Sequence, residues 1–184
     1  MMFCLARGAA EGPKAGISAA LGIATGSFVH SLAAGLGLAV ILSANPVAFE
    51  ILRWSGVAYL LFLAYSSIRQ PFVPLQAAIG NRSGLLKIWR DGTIVCLFNP
   101  KVALFILALV PQFVDTTRGS VVIQFLIFGA ILNVGGTVIN ALVGYFSGSI
   151  GRILARKQVL GKWLQRISSA IFVGLAFRLA LDRR

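Results

Sequence analysis

The chain has 184 residues, of which 58% are hydrophobic and only 12% are charged, and its mean hydropathy is +0.87. A soluble domain carries about 25% charged residues, so this composition excludes a soluble globular protein and indicates an integral membrane protein. A membrane-spanning helix needs roughly 20 apolar residues, so the chain has room for one membrane domain and for no soluble domain.

The formal net charge of +12 does not indicate a nucleic-acid-binding protein in this setting. The lysines and arginines lie in short clusters between apolar runs, which is how the topology of a membrane protein is encoded. Two cysteines, Cys4 and Cys96, are too few for a disulfide framework. The sequence contains no pattern typical of catalytic or metal sites, so we expect neither an enzyme nor a cofactor.

Apolar segments follow one another along most of the chain. We predict an all-α polytopic membrane helix bundle with about five spans, at about 17–43, 47–68, 93–110, 120–149 and 167–181. The fifth segment is short and contains Arg178. The small residues Ser18, Gly22 and Gly26 recur every four residues in the first span. Such spacing lets helix backbones approach closely in lipid, and the alternative is a substrate path between the helices.

Short basic loops predict the orientation of these spans. Segments 69–90 and 152–166 contain clusters of lysine and arginine, and such loops lie in the cytoplasm. The intervening turns contain a single arginine, Arg118, which is offset by Asp115. We therefore expect a multi-pass protein of the cell inner (plasma) membrane, with both basic loops on the cytoplasmic side.

The third span is interrupted by Asn99-Pro100-Lys101. Pro100 has no N–H group and clashes with the carbonyl group of Cys96, so we expect a broken or kinked helix. Asn99 is expected to cap the second half-helix, with Pro100 in its first position. Transporters keep such discontinuous helices at their binding sites. Lys101 then has two interpretations. It pairs with a substrate carboxylate or with a proton-coupling acid, or it snorkels to the nearer interface.

The fourth span carries polar residues at steps of four and three, which place them on one helical face: Asn133, Thr137 and Asn140. They form hydrogen bonds between helices, or they line a substrate path. Three titratable residues are candidates for proton coupling, namely His30, Glu50 and Asp115. Each has a structural alternative, because a histidine can bond to a neighbour, Glu50 can pair with Arg53, and Asp115 can cap a helix.

Several motifs together resemble the LysE/RhtB family of amino-acid exporters. The segments GPKAG (12–16) and ALGIATG (20–26) resemble the second helix of that family, and GVAYL (56–60) resembles its third. The segments NPK (99–101) and PQFVD (111–115) are similar to its fourth helix and the following turn. The order and spacing of these motifs agree over essentially the whole chain.

This resemblance implies a six-helix fold of two inverted three-helix repeats, with a Pro-Gly-Pro motif in the first helix. Residues 1–14 look like the stub of that helix, and the motif itself is absent. We favour a translation start upstream of Met1 over a truncated, inactive homologue. A homo-oligomer, in which a second copy supplies a partner surface, is a further expectation.

The implied function is secondary export of small amino acids or related metabolites, by alternating access and proton antiport. The expected partners are an amino-acid substrate and the lipid bilayer. The candidate substrate-binding residues are Asn99, Pro100, Lys101, Asn133, Thr137 and Asn140. The alternative function is a membrane thiol–disulfide carrier, since related carriers hold one cysteine in the first helix and one in the fourth, as Cys4 and Cys96 do here.

Overall fold

The computed structural model describes residues 1–44, 46–69, 83–115, 117–147 and 158–181. Within these ranges all regular structure is helical, which confirms the predicted all-α bundle of a polytopic membrane protein. The elements are α1 (Met2–Glu11), α2 (Pro13–Ala44), α3 (Pro46–Arg69), α4 (Leu85–Leu97), α5 (Pro100–Leu109), a 3₁₀ turn (Val110–Phe113), α6 (Val121–Tyr145) and α7 (Gln158–Leu181).

Helix length and composition identify the membrane-crossing elements. The segment Pro13–Gly37 of α2 and helix α6 are each 25 residues long and strongly apolar. Each is long and apolar enough to cross a membrane. Helix α4 and the segment Pro100–Phe113 meet the same test only as a pair, separated by a bend. Crossing by α3 and α7 stays a prediction.

Two boundaries differ from the sequence-based expectation. Residues 158–166 were expected in the second basic loop and belong to α7, which begins at Gln158. Lys87 and Arg90 were expected in the basic loop 69–90, and this was wrong, because α4 begins at Leu85. The reason is a buried stripe at steps of four residues, formed by Ile88, Gly92 and Cys96, which continues the helix toward its N-terminus. The rest of that loop from 70 to 82, and 152–157 of the second basic loop, lie outside the described residues.

The chain divides into two compact units. Unit 1 comprises Met1–Val29, Phe72–Asn99 and Ile131–Gly161, and unit 2 comprises His30–Pro71, Pro100–Ala130 and Lys162–Arg184. Each unit has its own packed interior, and both contain a part of α2 and a part of α6.

Small residues bring the helices of unit 1 together. A methyl group on Gly22 of α2 would clash with the carbonyl oxygen of Trp89 on α4. A methyl carbon on Gly26 would lie 2.6 Å from Cβ of Cys96. On α6, a methyl carbon on Gly144 would lie 2.7 Å from the carbonyl oxygen of Gly16. These contacts confirm the predicted close approach of helix backbones at small residues.

Large apolar side chains fill the interior of unit 2. Its two clusters of buried residues are Ala34, Ile106, Val110, Val114 and Phe125, and Val57, Leu60, Ala108, Ala176 and Leu179. Phe125 of α6 is fully buried. Phe105 of α5 meets Phe172 of α7 edge to face, with ring centroids 6.0 Å apart. Helices α3 and α5 run antiparallel to one another. Gly56 of α3 lies within van der Waals reach of Ala108 on α5.

Candidate functional site

The helix break lies where the sequence predicts it. Helix α4 ends at Leu97 and α5 begins at Pro100. Pro100 has no N–H group to donate to the carbonyl oxygen of Cys96. The backbone N–H of Asn99 donates to that oxygen instead, at 3.0 Å. The prediction of a broken helix is therefore confirmed, and the carbonyl group left by the proline is satisfied locally.

The first turn of α5 is held by a neighbouring helix. The Tyr59 hydroxyl of α3 donates to the carbonyl oxygen of Lys101 at 3.4 Å. The Lys101 side chain is exposed. Pro100 occupies the first helical position, as predicted, and Asn99 lies at the preceding cap position. The first amides of a helix have no partner within it, and the helix dipole makes this end positive. The arrangement suits a negatively charged group.

The polar stripe on α6 faces α2 within unit 1. The Asn133 side-chain amide donates to the carbonyl oxygen of Ala24 at 2.9 Å. The Thr137 hydroxyl donates to Oδ1 of Asn133 at 3.1 Å. Asn140, one turn further along α6, is half-buried. The structure thus shows the interhelical hydrogen bond for Asn133, while a role of this stripe in lining a substrate path stays a prediction.

Polar contacts between α2 and α4 were not predicted from the sequence. The Trp89 indole N–H donates to the Thr25 hydroxyl at 3.2 Å. The Thr93 hydroxyl lies 3.1 Å from the carbonyl oxygen of Gly22. The sequence did contain a signal for these contacts, because Trp89 and Thr93 are four residues apart and lie on one face of α4. Their partners on α2 lie 64 and 71 residues away in the sequence.

The three candidates for proton coupling lie in unit 2. His30 and Glu50 are half-buried. The side chain of Arg53, the expected partner of Glu50, lies outside the described residues. The structure therefore leaves the roles of His30 and Glu50 as predictions.

Asp115 organises the turn between α5 and α6. Its carboxylate accepts hydrogen bonds from the Thr117 backbone N–H at 2.9 Å and from the Thr117 hydroxyl at 2.6 Å, and Nε of Arg118 lies 3.0 Å away. The side chain of Gln124 bonds to both backbone groups of Asp115, at 2.8 Å and 2.7 Å. These contacts give Asp115 a structural role in the turn, and its part in proton coupling stays a prediction.

A cluster of charged side chains in unit 1 was also missed. Nη1 of Arg7 lies 2.6 Å from Oε1 of Glu11, and Nη2 lies 3.2 Å from Oδ2 of Asp91. The second oxygen of Glu11 accepts the backbone N–H of Ser83. This hydrogen bond, together with the Arg7 guanidinium, holds the pKa of Glu11 below its ordinary value. Arg7 and Asp91 are 84 residues apart, so no sequence pattern joins them.

Both cysteines are buried in unit 1 and neither forms a disulfide. Burial raises the pKa of the Cys4 thiol. Thiol–disulfide exchange requires the thiolate, so this environment disfavours the chemistry that an electron carrier would need. Among the described residues, no group of three histidine, cysteine, aspartate or glutamate side chains is placed to hold a metal ion.

Comparison with known proteins matches nearly the whole chain to one protein family. The family model of the LysE type translocator matches residues 1–183. The chain is 29% identical to a leucine efflux protein of Enterobacter sp. (strain 638) over 180 residues, covering 97% of the chain and 85% of that protein. It is 30% identical to a leucine efflux protein of Klebsiella pneumoniae, covering 97% and 84%. No solved structure matches the chain.

Proposed function

The chain belongs to the LysE type translocator family, and we propose that it exports small amino acids or related metabolites across the cytoplasmic membrane. Its relatives named leucine efflux protein support this proposal. Leucine, or another amino acid with a small apolar side chain, is the first substrate to test. A small-molecule substrate and the bilayer are the partners that this function requires, and a homo-oligomer is a further proposal.

The helix break is the observation that carries the proposal. The exposed Lys101 side chain follows the first residue of α5, Pro100. The positive end of the helix dipole and a lysine together favour an anion. Every α-amino acid offers a carboxylate, whatever its side chain is. We therefore assign recognition of the substrate carboxylate to the first turn of α5, with Lys101 as its cation.

The polar face of α6 supports a second contact. Asn133 and Thr137 use their side chains to bond to one another and to α2. A substrate with an ammonium group offers donors that can replace the donor of Thr137 at Oδ1 of Asn133. We propose that Asn133, Thr137 and Asn140 line the path by exchanging interhelical hydrogen bonds for bonds to the substrate.

Proton antiport is the proposed energy source. His30, Glu50 and Asp115 are its candidates, because imidazole and carboxyl groups are the side chains that carry protons in pumps and transporters. The single variants His30→Gln, Glu50→Gln and Asp115→Asn each keep the approximate shape of the side chain and remove its ability to change charge. The variant that still exchanges substrate across the membrane but no longer responds to a proton gradient identifies the coupling group. If all three respond as the parent does, another group couples the proton or the coupling ion is different.

The test of export uses bacterial cells that express the chain and are loaded with leucine-containing dipeptides. Amino acids in the medium are measured over time, and the amount of chain in the membrane is measured in parallel. Leucine efflux above that of cells without the chain is expected. Lys101→Ala should lower it at least about tenfold, since it removes a charged contact to the carboxylate, whereas Lys101→Arg should keep most of it.

The matched control is Lys14→Ala, which removes another exposed lysine, at the start of α2. It should leave efflux unchanged. A membrane-inserted chain that exports no amino acid would contradict the proposed function. Efflux that is lost equally in both lysine variants would instead contradict the assignment of Lys101 to the substrate carboxylate.

A further inference from the structure

Helices α3 and α7 of unit 2 pack against one another as an antiparallel pair. The Ser169 hydroxyl of α7 donates to the carbonyl oxygen of Ala64 on α3 at 2.9 Å, and both residues are buried. Earlier on α3, a methyl carbon on Gly56 would lie 3.2 Å from Cδ2 of Leu179, which comes later on α7. The C-terminal end of α3 therefore lies beside the N-terminal part of α7.

This shared end carries one exposed arginine from each helix. Arg69 is the last residue of α3 and lies about 7.5 Å beyond Ala64 along the helix axis. Arg166 precedes Ser169 by about 4.5 Å along the axis of α7. Because Ala64 and Ser169 are in contact and the helices are antiparallel, the two arginines lie within about 3 Å of the same level.

The two arginines also lie on the same face of the pair. Helix α5 covers the opposite face, at Gly56 of α3 and at Phe172 of α7. Tyr65 is about 2.5 turns beyond Gly56, and Trp163 is about 2.5 turns before Phe172. Both residues are therefore on the side of their helix away from α5, and each has an arginine about one turn further along the chain.

Each arginine is held by the aromatic ring next to it. The Arg69 guanidinium lies over the Tyr65 ring, 5.2 Å from its centroid, and the Arg166 guanidinium lies over the Trp163 ring at 6.0 Å. The two aromatic residues are 58% and 57% exposed. Exposed tyrosine and tryptophan residues are typical of the level of the lipid headgroups, so the cations are held at that level.

This face has the charge and the apolar surface that an anionic phospholipid would match. The sequence contains no aspartate or glutamate from 51 to 90 or from 116 to 181, so neither helix offers a carboxylate to these arginines. Arginine binds phosphate through two parallel hydrogen bonds. Nearer the middle of the pair, Leu61 and Val173 are about half-exposed on the same face and offer an apolar surface to acyl chains.

We propose that Arg69 and Arg166 bind the headgroup of one anionic phospholipid, with its phosphate between the two guanidinium groups and its acyl chains along the face of α3 and α7 opposite α5. Basic groups between membrane helices bind anionic headgroups in this way. On the orientation predicted from the basic loops, the site faces the cytoplasmic leaflet. The site does not rest on the proposed function, because it requires neither a transported substrate nor a proton gradient.

Trp163 can report which lipid occupies the site. In a chain with Trp54→Phe and Trp89→Phe it is the remaining tryptophan. This chain is reconstituted in vesicles of phosphatidylcholine and phosphatidylglycerol, in which one lipid or the other carries brominated acyl chains that quench tryptophan fluorescence on contact. The quenching should show a preference for phosphatidylglycerol of at least about fivefold, since two cations attract its net negative headgroup. Equal quenching by the two lipids would overturn the site.

In the same chain, Arg69→Gln with Arg166→Gln should abolish the preference. The matched control is Arg90→Gln with Arg178→Gln, which removes the same charge elsewhere. Arg90 is 65% exposed, and the Arg178 guanidinium also lies over a ring, 4.7 Å from the centroid of Phe113. The control should keep the preference, and equal loss in both double variants would overturn the site in favour of attraction by net charge. Quenching by neither lipid would mean that a protein chain covers this face, which also overturns the site.

A second measurement uses the chain without substitutions, so it decides the proposal even if a variant does not fold. In a neutral detergent, phosphatidylglycerol should raise the unfolding temperature more than phosphatidylcholine does, because a ligand of the folded state stabilises it. Glycerol phosphate, which has the headgroup chemistry without acyl chains, should have no such effect. Equal stabilisation by the two lipids, or by glycerol phosphate and phosphatidylglycerol, would overturn the lipid site.

Discussion

The two units differ in how closely their helix backbones approach one another. In unit 1 the helices meet at Gly16, Gly22, Gly26 and Gly144, so closely that an added methyl group would strike a neighbouring backbone or side chain. In unit 2 the clusters are built from larger side chains, with Phe125 and Leu60 fully buried. Close approach in lipid needs small residues, whereas helices held further apart need side chains that fill the space between them.

Close approach of helices also decides where short polar side chains form hydrogen bonds. In unit 1 the hydroxyls of Ser18 and Thr93 lie 2.6 Å and 3.1 Å from backbone carbonyl oxygens of a facing helix. Short side chains reach such carbonyl groups only where helix backbones are near one another. Unit 2 also has such a bond, since the Ser169 hydroxyl of α7 donates to the carbonyl oxygen of Ala64 on α3 at 2.9 Å, and Asp115 and Gln124 form further contacts at a turn. Close packing therefore supplies hydrogen bonds within the helical interior of both units.

The largest effect is expected in unit 2. Phe125→Ala removes a fully buried ring and should lower the free energy of unfolding by about 3–5 kcal/mol. Phe177→Ala is the control, because Phe177 of α7 is 66% exposed. Thermal unfolding in detergent, monitored by size-exclusion chromatography, measures the stability of both variants. Equal loss in the two variants would show that the ring of Phe125 does not hold unit 2 together.

Substitution of glycine by alanine should change the stability of the chain in opposite directions at two positions of unit 1. Gly22→Ala forces apart the backbones of α2 and α4 and should destabilise the chain by about 1–3 kcal/mol. Gly136→Ala on α6 meets nothing within 4 Å and should stabilise its helix by up to about 1 kcal/mol. Thermal unfolding of the two single variants measures the difference. Two variants of equal stability would contradict the close-packing account of unit 1.

A smaller effect is expected at the polar stripe of α6. Asn133→Ala should lower the free energy of unfolding by about 1 kcal/mol, as for other hydrogen bonds between membrane helices. Thr137→Val tests the second bond of the pair. A double-mutant cycle of unfolding free energies should show coupling between the two substitutions. Additive effects would mean that the Asn133–Thr137 bond does not contribute to stability.

Acid should weaken the ion pair between Arg7 and Glu11 in unit 1. The pKa of Glu11 lies below its ordinary value of 4.5 in the folded chain, so the ionised carboxylate favours the folded state. That contribution is present above about pH 4.5 and is lost as the pH falls through the lowered pKa. Unfolding temperatures between about pH 7 and pH 3.5 should fall less in Glu11→Gln than in the parent. If the unfolding temperatures of the parent and Glu11→Gln fall equally with pH, Glu11 does not contribute to the pH dependence of stability.

The smallest effect on transport is expected from the cysteines of unit 1. Cys4→Ala with Cys96→Ala removes both thiols and should leave the rate of amino-acid efflux within about twofold of the parent, since the thiols serve as small apolar groups. Efflux from loaded cells measures this. Lost efflux without lost expression would support the thiol–disulfide carrier instead.

Local features were predicted well. Pro100 cannot continue a helix in any surroundings, so the break between Leu97 and Pro100 followed from the sequence. The recurrence of Ser18, Gly22 and Gly26 likewise predicted close packing, although not that α4 is the helix they meet. For Lys87 and Arg90 the charge suggested a loop, and burial of the neighbouring Ile88 decided for a helix.

The sequence by itself determined the membrane class, the all-α fold, the broken helix and the small-residue faces, because apolar length, proline sterics and residue size act locally. Only the tertiary structure decided which groups meet. Asn133 bonds to Ala24 across 109 residues, and Arg7 pairs with Asp91 across 84. Such partners depend on how helices distant in sequence pack together. The sequence between two partners does not predict that packing.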